Sequence, residues 1–219
     1  MTAFDYKKEY RALYLPKDTP SVIDVPPMQY AAVRGCGNPN EEGGEYGRAI
    51  AVLYGISYTI KMSYKGSRKI DGFFEYVVPP LEGFWWMEGG APGVDYRNKS
   101  GFNWISIIRV PDFVTEEVFS WAKEEAQRKK GIDMGPAELI TVSEGRCVQC
   151  LHIGSFDEEP ATVAKMDRYL EEHGYVNDFS ETRRHHEIYL SDPRKVPRER
   201  MKTVITVSYT HLTLPTNSR

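Results

Sequence analysis

Apolar and polar positions along the chain fall into blocks of changing period, and each block predicts an element. Met28 to Arg34 reads as a strand that ends at Gly35 and Gly37. Asn38 to Gly44 is a turn-rich loop. Tyr46, Ile50, Leu53, Tyr54 and Ser57 recur at helical spacing, so residues 45–60 read as a helix with one aromatic-apolar face. Phe73 to Val78 reads as a strand, stopped by Pro79 and Pro80, which have no N–H for a ladder. Phe84 to Met87 reads as a short strand, and with Gly83 in the link the two are expected to form a hairpin. Asn103 to Val110 is a further strand, with Pro111 as its stop.

Thr115 opens a helix: its hydroxyl can cap a free amide, and Glu116 and Glu117 sit where the helix dipole favours negative charge. That helix ends near Lys129, Lys130 and Gly131. Glu138 to Val142 and Arg146 to Ile153 read as strands joined by a Ser-Glu-Gly turn. A last helix runs from Pro160 to His173, with Val163, Met166 and Leu170 on one face. His185 to Leu190 is the last clear strand, stopped by Pro193. The order β-α-β-β-β-α-β-β-α-β demands no parallel sheet, so the expected class is α+β, a mainly antiparallel sheet with helices on its outer face.

Residues 1–24 read as an N-terminal arm and residues 25–206 as the domain. From Ser208 the text turns polar and Thr-rich, with no charge before Arg219, and resembles translated adapter or vector sequence. Residues 207–219 are therefore set aside as a non-native tail. The strand-like composition of Thr203 to Tyr209 leaves open a final strand that runs into it.

Composition narrows the function classes. The chain has 219 residues, 41% of them apolar and 27% charged, which excludes disorder or a coiled coil as a description of the whole. A net charge of −3 argues against an electrostatic nucleic-acid surface, and no direct nucleic-acid binding is expected. No apolar run has membrane-span length, no signal peptide is visible, and three sparse cysteines suit a reducing compartment. A cytoplasmic location is expected. The 14 Tyr, nine Phe and four Trp gather in three stretches, 46–64, 73–86 and 102–121, so they either fill a core or line a pocket for a flat ligand.

The chain also repeats itself. FFEYVVPP (73–80) and HHEIYLSDP (185–193) each place two ring residues before a Glu, a Tyr within two positions, and a closing Pro. Each follows a strand, an acidic loop and a helix. Strand parity puts His186, Ile188 and Leu190 on one face and His185, Glu187 and Tyr189 on the other. The first face is expected to pack on helices. The second is expected to look into a cleft between the halves, met by the equivalent face of Phe73, Glu75 and Val77.

FEYVVPPLEGFWW, LHIGSFDEEPATVAKM and HHEIYLSDPRK together resemble the GyrI-like small-molecule-binding family, over about residues 4–205. The resemblance implies a pseudo-symmetric pair of β-α-β-β units around a central ligand cleft. It is similar to stand-alone members rather than regulators, since nothing before Met28 resembles a helix-turn-helix. Stand-alone members include cyclopropanoid cyclopropyl hydrolases, which open the strained ring of genotoxins of the yatakemycin and CC-1065 type. The family's functional glutamate, in a strand of the form E-x-Y, maps onto Glu187 and Tyr189.

On this reading Glu187 deprotonates the attacking water, and Tyr189 or another cleft tyrosine hydrogen-bonds the dienone oxygen. Tyr58, Phe73, Glu75, Trp85, Trp86 and Trp104 are the candidate substrate-binding residues. Trp85 and Trp86 are adjacent in a strand, so only one of them can face the cleft. No metal or other cofactor is expected. Cys147 and Cys150 lie at i and i+3 of a strand and face opposite ways; His185 and His186 diverge likewise. Glu158 and Glu159 are assigned to the dipole of the helix they precede. The rival functions are a non-catalytic protein that sequesters lipophilic aromatic compounds and an interaction protein of the gyrase-inhibitor kind, for which −3 is a small charge.

Overall fold

The computed structural model describes residues 3–87, 89 and 94–211. Its elements are β1 (Phe4–Asp5), α1 (Tyr6–Glu9), α2 (Arg11–Tyr14), β2 (Ser21–Val25), β3 (Met28–Cys36), α3 (Glu45–Lys61), β4 (Tyr76–Val77), β5 (Leu81–Met87) and β6 (Phe102–Arg109). There follow α4 (Glu116–Lys130), β7 (Glu138–Val142), β8 (Gly145–Ile153), α5 (Glu159–Glu172), β9 (Tyr175–Asn177), β10 (His185–Tyr189) and β11 (Lys202–His211). Eight strands lie in the order β2-β8-β11-β10-β5-β6-β3-β7, every neighbouring pair antiparallel, and β9 adds to β11. The fold is α+β.

The order is a palindrome of two units. β3-α3-β5-β6 and β8-α5-β10-β11 are each β-α-β-β, and they meet where β5 pairs with β10. The repeat therefore exists, but its first half uses a different strand from the expected one. The 73–78 segment contributes only Tyr76–Val77, which pairs in parallel with Phe4–Asp5 outside the main sheet. No hairpin joins it to Leu81–Met87, because that strand is occupied on both edges by β6 and β10. The counterpart of HHEIY is thus LEGFWWM, beyond the two prolines.

Local signals fix the helix ends. Thr115 Oγ1 accepts the Val118 N–H at 3.3 Å, and Gly131 closes α4 at φ 66°, a conformation that costs a side chain but not glycine. Ser155 and Glu158 form a reciprocal capping box just before α5, which carries Pro160 in its first turn.

The two faces of the sheet are covered differently. α3 and α4 close one apolar core over β3, β5 and β6, centred on Leu53, Ile56, Trp104 and Ile108. α5 closes a second on the same face over β8 and β11, with Met166, Leu170 and Ile205. The opposite face holds a third core, in which Tyr6, Leu13 and Tyr14 pack on Tyr30, Phe84, Ile107 and Ile188. The Ile188 face thus packs on the short N-terminal helices, and the long helices flank the Glu187 face. The N-terminal arm is part of the domain: the expected limit at residue 25 cuts β2. The limit at 206 cuts β11, where Val207, Ser208 and Tyr209 are buried; residues 212–219 of the supposed tail lie outside the described residues. Cys147 and Cys150 do separate, one into the third core and one into the second, and burial pushes the Cys147 thiol up to about 12. Among the described residues no helix is long and apolar enough to cross a membrane.

A buried ionic cluster ties β10 to this third core. His186 sits between Glu144 Oε2 at 2.8 Å and Glu82 Oε2 at 3.0 Å, all three almost fully buried. Burial alone would lower the imidazole pKa, but the charge and hydrogen bond of Glu144, with Glu82 adding to them, raise it to about 10. The folded state thus holds a proton that the unfolded chain releases above its ordinary value of 6.5. The stabilisation is complete below 6.5 and is lost as pH rises through about 10. His186→Leu leaves two carboxylates buried without their cation, and a loss of about 3–5 kcal/mol is expected in urea unfolding at pH 7. The gap between variant and wild type should narrow as the pH is taken through 10; a gap independent of pH would show that His186 is held neutral.

Candidate functional site

The pleat of β10 sends His185, Glu187 and Tyr189 to the helix-bearing face, beside the residues that register sets opposite them: His185 by Trp85 and Glu187 by Gly83. Three hydrogen bonds join these side chains. Trp85 Nε1 donates to the Tyr189 hydroxyl at 2.7 Å, which donates to Glu187 Oε2 at 2.8 Å. His185 Nε2 lies 3.0 Å from Glu187 Oε1, and with a carboxylate as acceptor this nitrogen carries the proton. Gly83 makes room for the chain of bonds. A Cβ there would stand 2.7 Å from Trp85 Nε1 and 3.1 Å from the Tyr189 oxygen.

The second half of the site comes from α5. Glu158 turns back onto the Ser155 N–H and hydroxyl, so Glu159, the first residue of the helix, projects inward and is fully buried. The dipole explanation holds for Glu158 and does not suffice for Glu159. Glu159 Oε2 accepts the Tyr96 hydroxyl at 2.9 Å, while Oε1 has no donor among the described residues. One oxygen of Glu159, one of Glu187 and a ring nitrogen of His185 all lie within 4.8 Å of one another. Burial, followed by the charge of Glu187, pushes the Glu159 carboxyl well above the usual carboxylate range. These donors also suit a small cation in type and spacing.

Glu159, Glu187, Tyr189, Trp85 and Tyr96, with His185 behind them, form the floor of a cavity of about 1230 Å³ between α3 and the start of α5. That exceeds the ~300–1,000 Å³ typical of small-molecule sites, so a ligand of several fused or linked rings fits. Tyr46, Tyr54 and Tyr58 of α3 form one wall, and Phe102 and Phe156 face them. Burial raises the Tyr46, Tyr54, Tyr96 and Tyr189 hydroxyls above the ordinary phenol value, so each is neutral at pH 7. At the rim, Lys99 pairs with Asp157 at 2.6 Å and Arg194 with Asp192 at 2.9 Å.

Of the eight residues singled out from the sequence, the structure brings four to the cavity: Glu187, Tyr189, Trp85 and Tyr58. The other four lie elsewhere. Trp86 takes the opposite face of β5, under the Arg184 guanidinium at 3.4 Å, as adjacent strand positions require. Phe73 packs on Tyr64 and Phe113, and Glu75 is exposed, because their segment is not the counterpart of β10. Trp104 is sealed in the core, edge-on to Tyr46 at 5.2 Å. The sequence reading missed Glu159, Tyr46 and Tyr96, and it placed His185 on the cleft face without giving it a role. One signal for Glu159 was available: the Ser155-x-x-Glu158 spacing engages the preceding acid and leaves this one free.

Two expectations follow from the geometry. Gly83→Ala drives Trp85 off Tyr189, and a loss of about 1–3 kcal/mol in denaturant unfolding is expected, with a change in tryptophan emission. For Glu159, the raised pKa means the folded chain keeps a proton that the unfolded chain gives up above 4.5, so wild-type stability falls as pH rises from there. Glu159→Gln has no proton to lose. Its melting temperature should gain on wild type steadily from pH 4.5 upward; a constant difference would place no proton on Glu159.

Comparison with known proteins agrees with this architecture. No curated protein matches the chain. A crystal structure of an uncharacterized conserved protein from Listeria innocua superposes with a TM-score of 0.89 at 48% identity, over 94% of this chain and 100% of that one. A crystal structure described as a hydrolase from Listeria innocua does so with a TM-score of 0.86 at 46% identity, over 94% and 100%. The C-terminal domain of EcmrR shares only the fold, with a TM-score of 0.54 at 13% identity over 89% and 98%. The model of the GyrI-like small molecule binding domain matches residues 18–209, and the chain belongs to that family.

Proposed function

We propose that the protein hydrolyses the cyclopropane ring of flat, aromatic cyclopropanoid genotoxins of the yatakemycin and CC-1065 type, and so detoxifies them. The observation that carries the reading is Glu187: buried at the floor of a ring-lined cavity, with both oxygens held by donors. The sequence resemblance and the solved relative described as a hydrolase support it.

In the reaction a water oxygen bonds to the cyclopropane methylene and the ring C–C bond breaks. Its electron pair passes into the conjugated dienone, whose oxygen becomes a phenolate that takes a proton from solvent, while the proton gained by Glu187 in the same step is returned to solvent. Glu187 takes the water proton, a role in which one general base supplies about 10²–10⁴-fold. Tyr189 does not serve as the donor first expected of it. Its proton is spent on Glu187 and its oxygen is occupied by Trp85, so it acts as a positioning residue. The dienone oxygen of such a substrate lies across a six-membered ring from the carbon that bears the attacked methylene, and Tyr54 and Tyr58, which line the cavity, are available as its donors.

Binding without chemistry is the second reading. Two carboxyls below a wall of rings would also hold a lipophilic cation by charge and cation–π contact. A single comparison separates the two. Incubated with a cyclopropane-containing duocarmycin-type compound, wild type should yield the ring-opened hydrate on chromatography, and Glu187→Gln should fold normally and yield about 10²-fold less or none. Full activity in that variant would remove Glu187 from the mechanism. No hydrate from wild type, with tight binding of a cationic aromatic dye, would leave the sequestering reading.

A further inference from the structure

We propose that the cavity floor binds one first-row divalent transition-metal ion of the Zn²⁺ class, held by Glu159, His185 and Glu187. This goes beyond the hydrolysis reading and does not depend on it. One oxygen of each carboxyl and a ring nitrogen of His185 lie within 4.8 Å of one another. Ligand atoms on opposite sides of one such ion stand about 4.2 Å apart, at bonds of about 2.1 Å, so a small side-chain torsion brings all three onto it. His185 Nε2 and Glu187 Oε1 are already 3.0 Å apart, the spacing of two neighbouring ligands at about 90° on the ion. An imidazole with two carboxylates and no thiolate is a donor set for such an ion.

The two carboxyls are held as metal-bound carboxylates are. Each has one oxygen tied by a tyrosine hydroxyl: Tyr96 donates to Glu159 Oε2 at 2.9 Å, and Tyr189 to Glu187 Oε2 at 2.8 Å. Outer hydrogen bonds of this kind orient a ligating carboxylate and leave its second oxygen for the ion. Those second oxygens are Glu187 Oε1, which faces His185, and Glu159 Oε1, which has no donor among the described residues although Glu159 is fully buried. A buried carboxylate oxygen without a partner is costly, and a cation on it removes that cost. The rim cations Lys99 and Arg194 are engaged by Asp157 and Asp192 and give the floor no countercharge.

The ion takes the place of the Nε2 proton of His185, which moves to Nδ1, so the imidazole binds as a neutral ligand. His186 adds nothing to the site, since it is tied to Glu82 and Glu144 on the other face. Three protein ligands leave a fourth tetrahedral position, and Glu159 and Glu187 line the cavity, so that position opens to water or to an oxygen of a bound molecule. The ion also occupies the carboxylate that would take the proton of the attacking water. Metal binding and cyclopropane hydrolysis therefore compete for Glu187.

The test titrates the full chain, stripped with EDTA and dialysed free of it, with ZnCl₂ in a calorimeter, and with CoCl₂ by visible absorption. Expected is saturation at one ion per chain, with a Co²⁺ d–d band. Glu159→Gln and His185→Asn should each weaken binding at least about 100-fold, and Tyr96→Phe, which keeps every ligand, about 10–100-fold. His173→Asn, exposed just past α5, should bind as wild type does. Where near-ultraviolet circular dichroism shows a ligand variant unfolded, the Tyr96→Phe and His173→Asn pair decides. No saturable uptake by wild type overturns the site, and so does wild-type affinity in the Glu159, His185 and Tyr96 variants. Hydrate formation from the duocarmycin-type compound should be at least about tenfold slower in the Zn²⁺-loaded chain than in the metal-free chain. An equal or faster rate overturns the competition for Glu187. No hydrate from either form overturns the cyclopropane reading and leaves the metal site to the titration.

Discussion

The structure depends on the antiparallel pairing of Leu81–Met87 with His185–Tyr189. This pair is the seam between two β-α-β-β units, and its register sets Glu187 against Gly83 and His185 against Trp85. Side chains alternate along a strand, so a slip of one residue would exchange the contents of the two faces. It would push Glu187 among the tyrosines of the N-terminal segment and bring His186 into the cavity. Both faces resist the slip, because each binds its own polar residues in place: His186 with Glu82 and Glu144 on one side, Glu187 with Tyr189 and His185 on the other.

Two adjacent histidines thus do different work. His186 is a buried cation whose partners are fixed carboxylates, a structural tie between the seam, β5 and the β7–β8 turn. His185, one residue away, is a hydrogen-bond partner for a cavity carboxylate. Parity alone separates them. The N-terminal segment completes the distinction by filling the His186 face with Tyr6, Leu13 and Tyr14, which leaves the other face of the seam as the one with open space.

That open space exists because α3 and α5 stand on the same face, one from each unit, and do not meet over the seam. The start of α5 reaches into the gap. Its dipole would favour an ionised Glu159 by at most about 2 kcal/mol. Full burial and the neighbouring Glu187 act the other way and prevail, so a residue placed where helices ordinarily welcome charge has its carboxyl pushed well above the usual carboxylate range.

Much of this was legible in the sequence. The long elements follow from periodicity and punctuation: Thr115 and Gly131 bound α4, Pro160 marks the first turn of α5, and the parity of His185 to Tyr189 places Glu187 and Tyr189 on a common face. These features depend on neighbours a few positions apart, which a sequence displays directly. Strand partners do not. FFEYVV looked like the twin of HHEIYL by its residues, but only the folded sheet decides that LEGFWWM takes that place, since pairing depends on which edges are free. For the same reason Phe73 and Glu75 left the site and Trp104 went to the core. Glu159 came the other way, from a helix start to the cavity floor, because its burial is set by Tyr96 and Glu187, far off in the chain and near only in space.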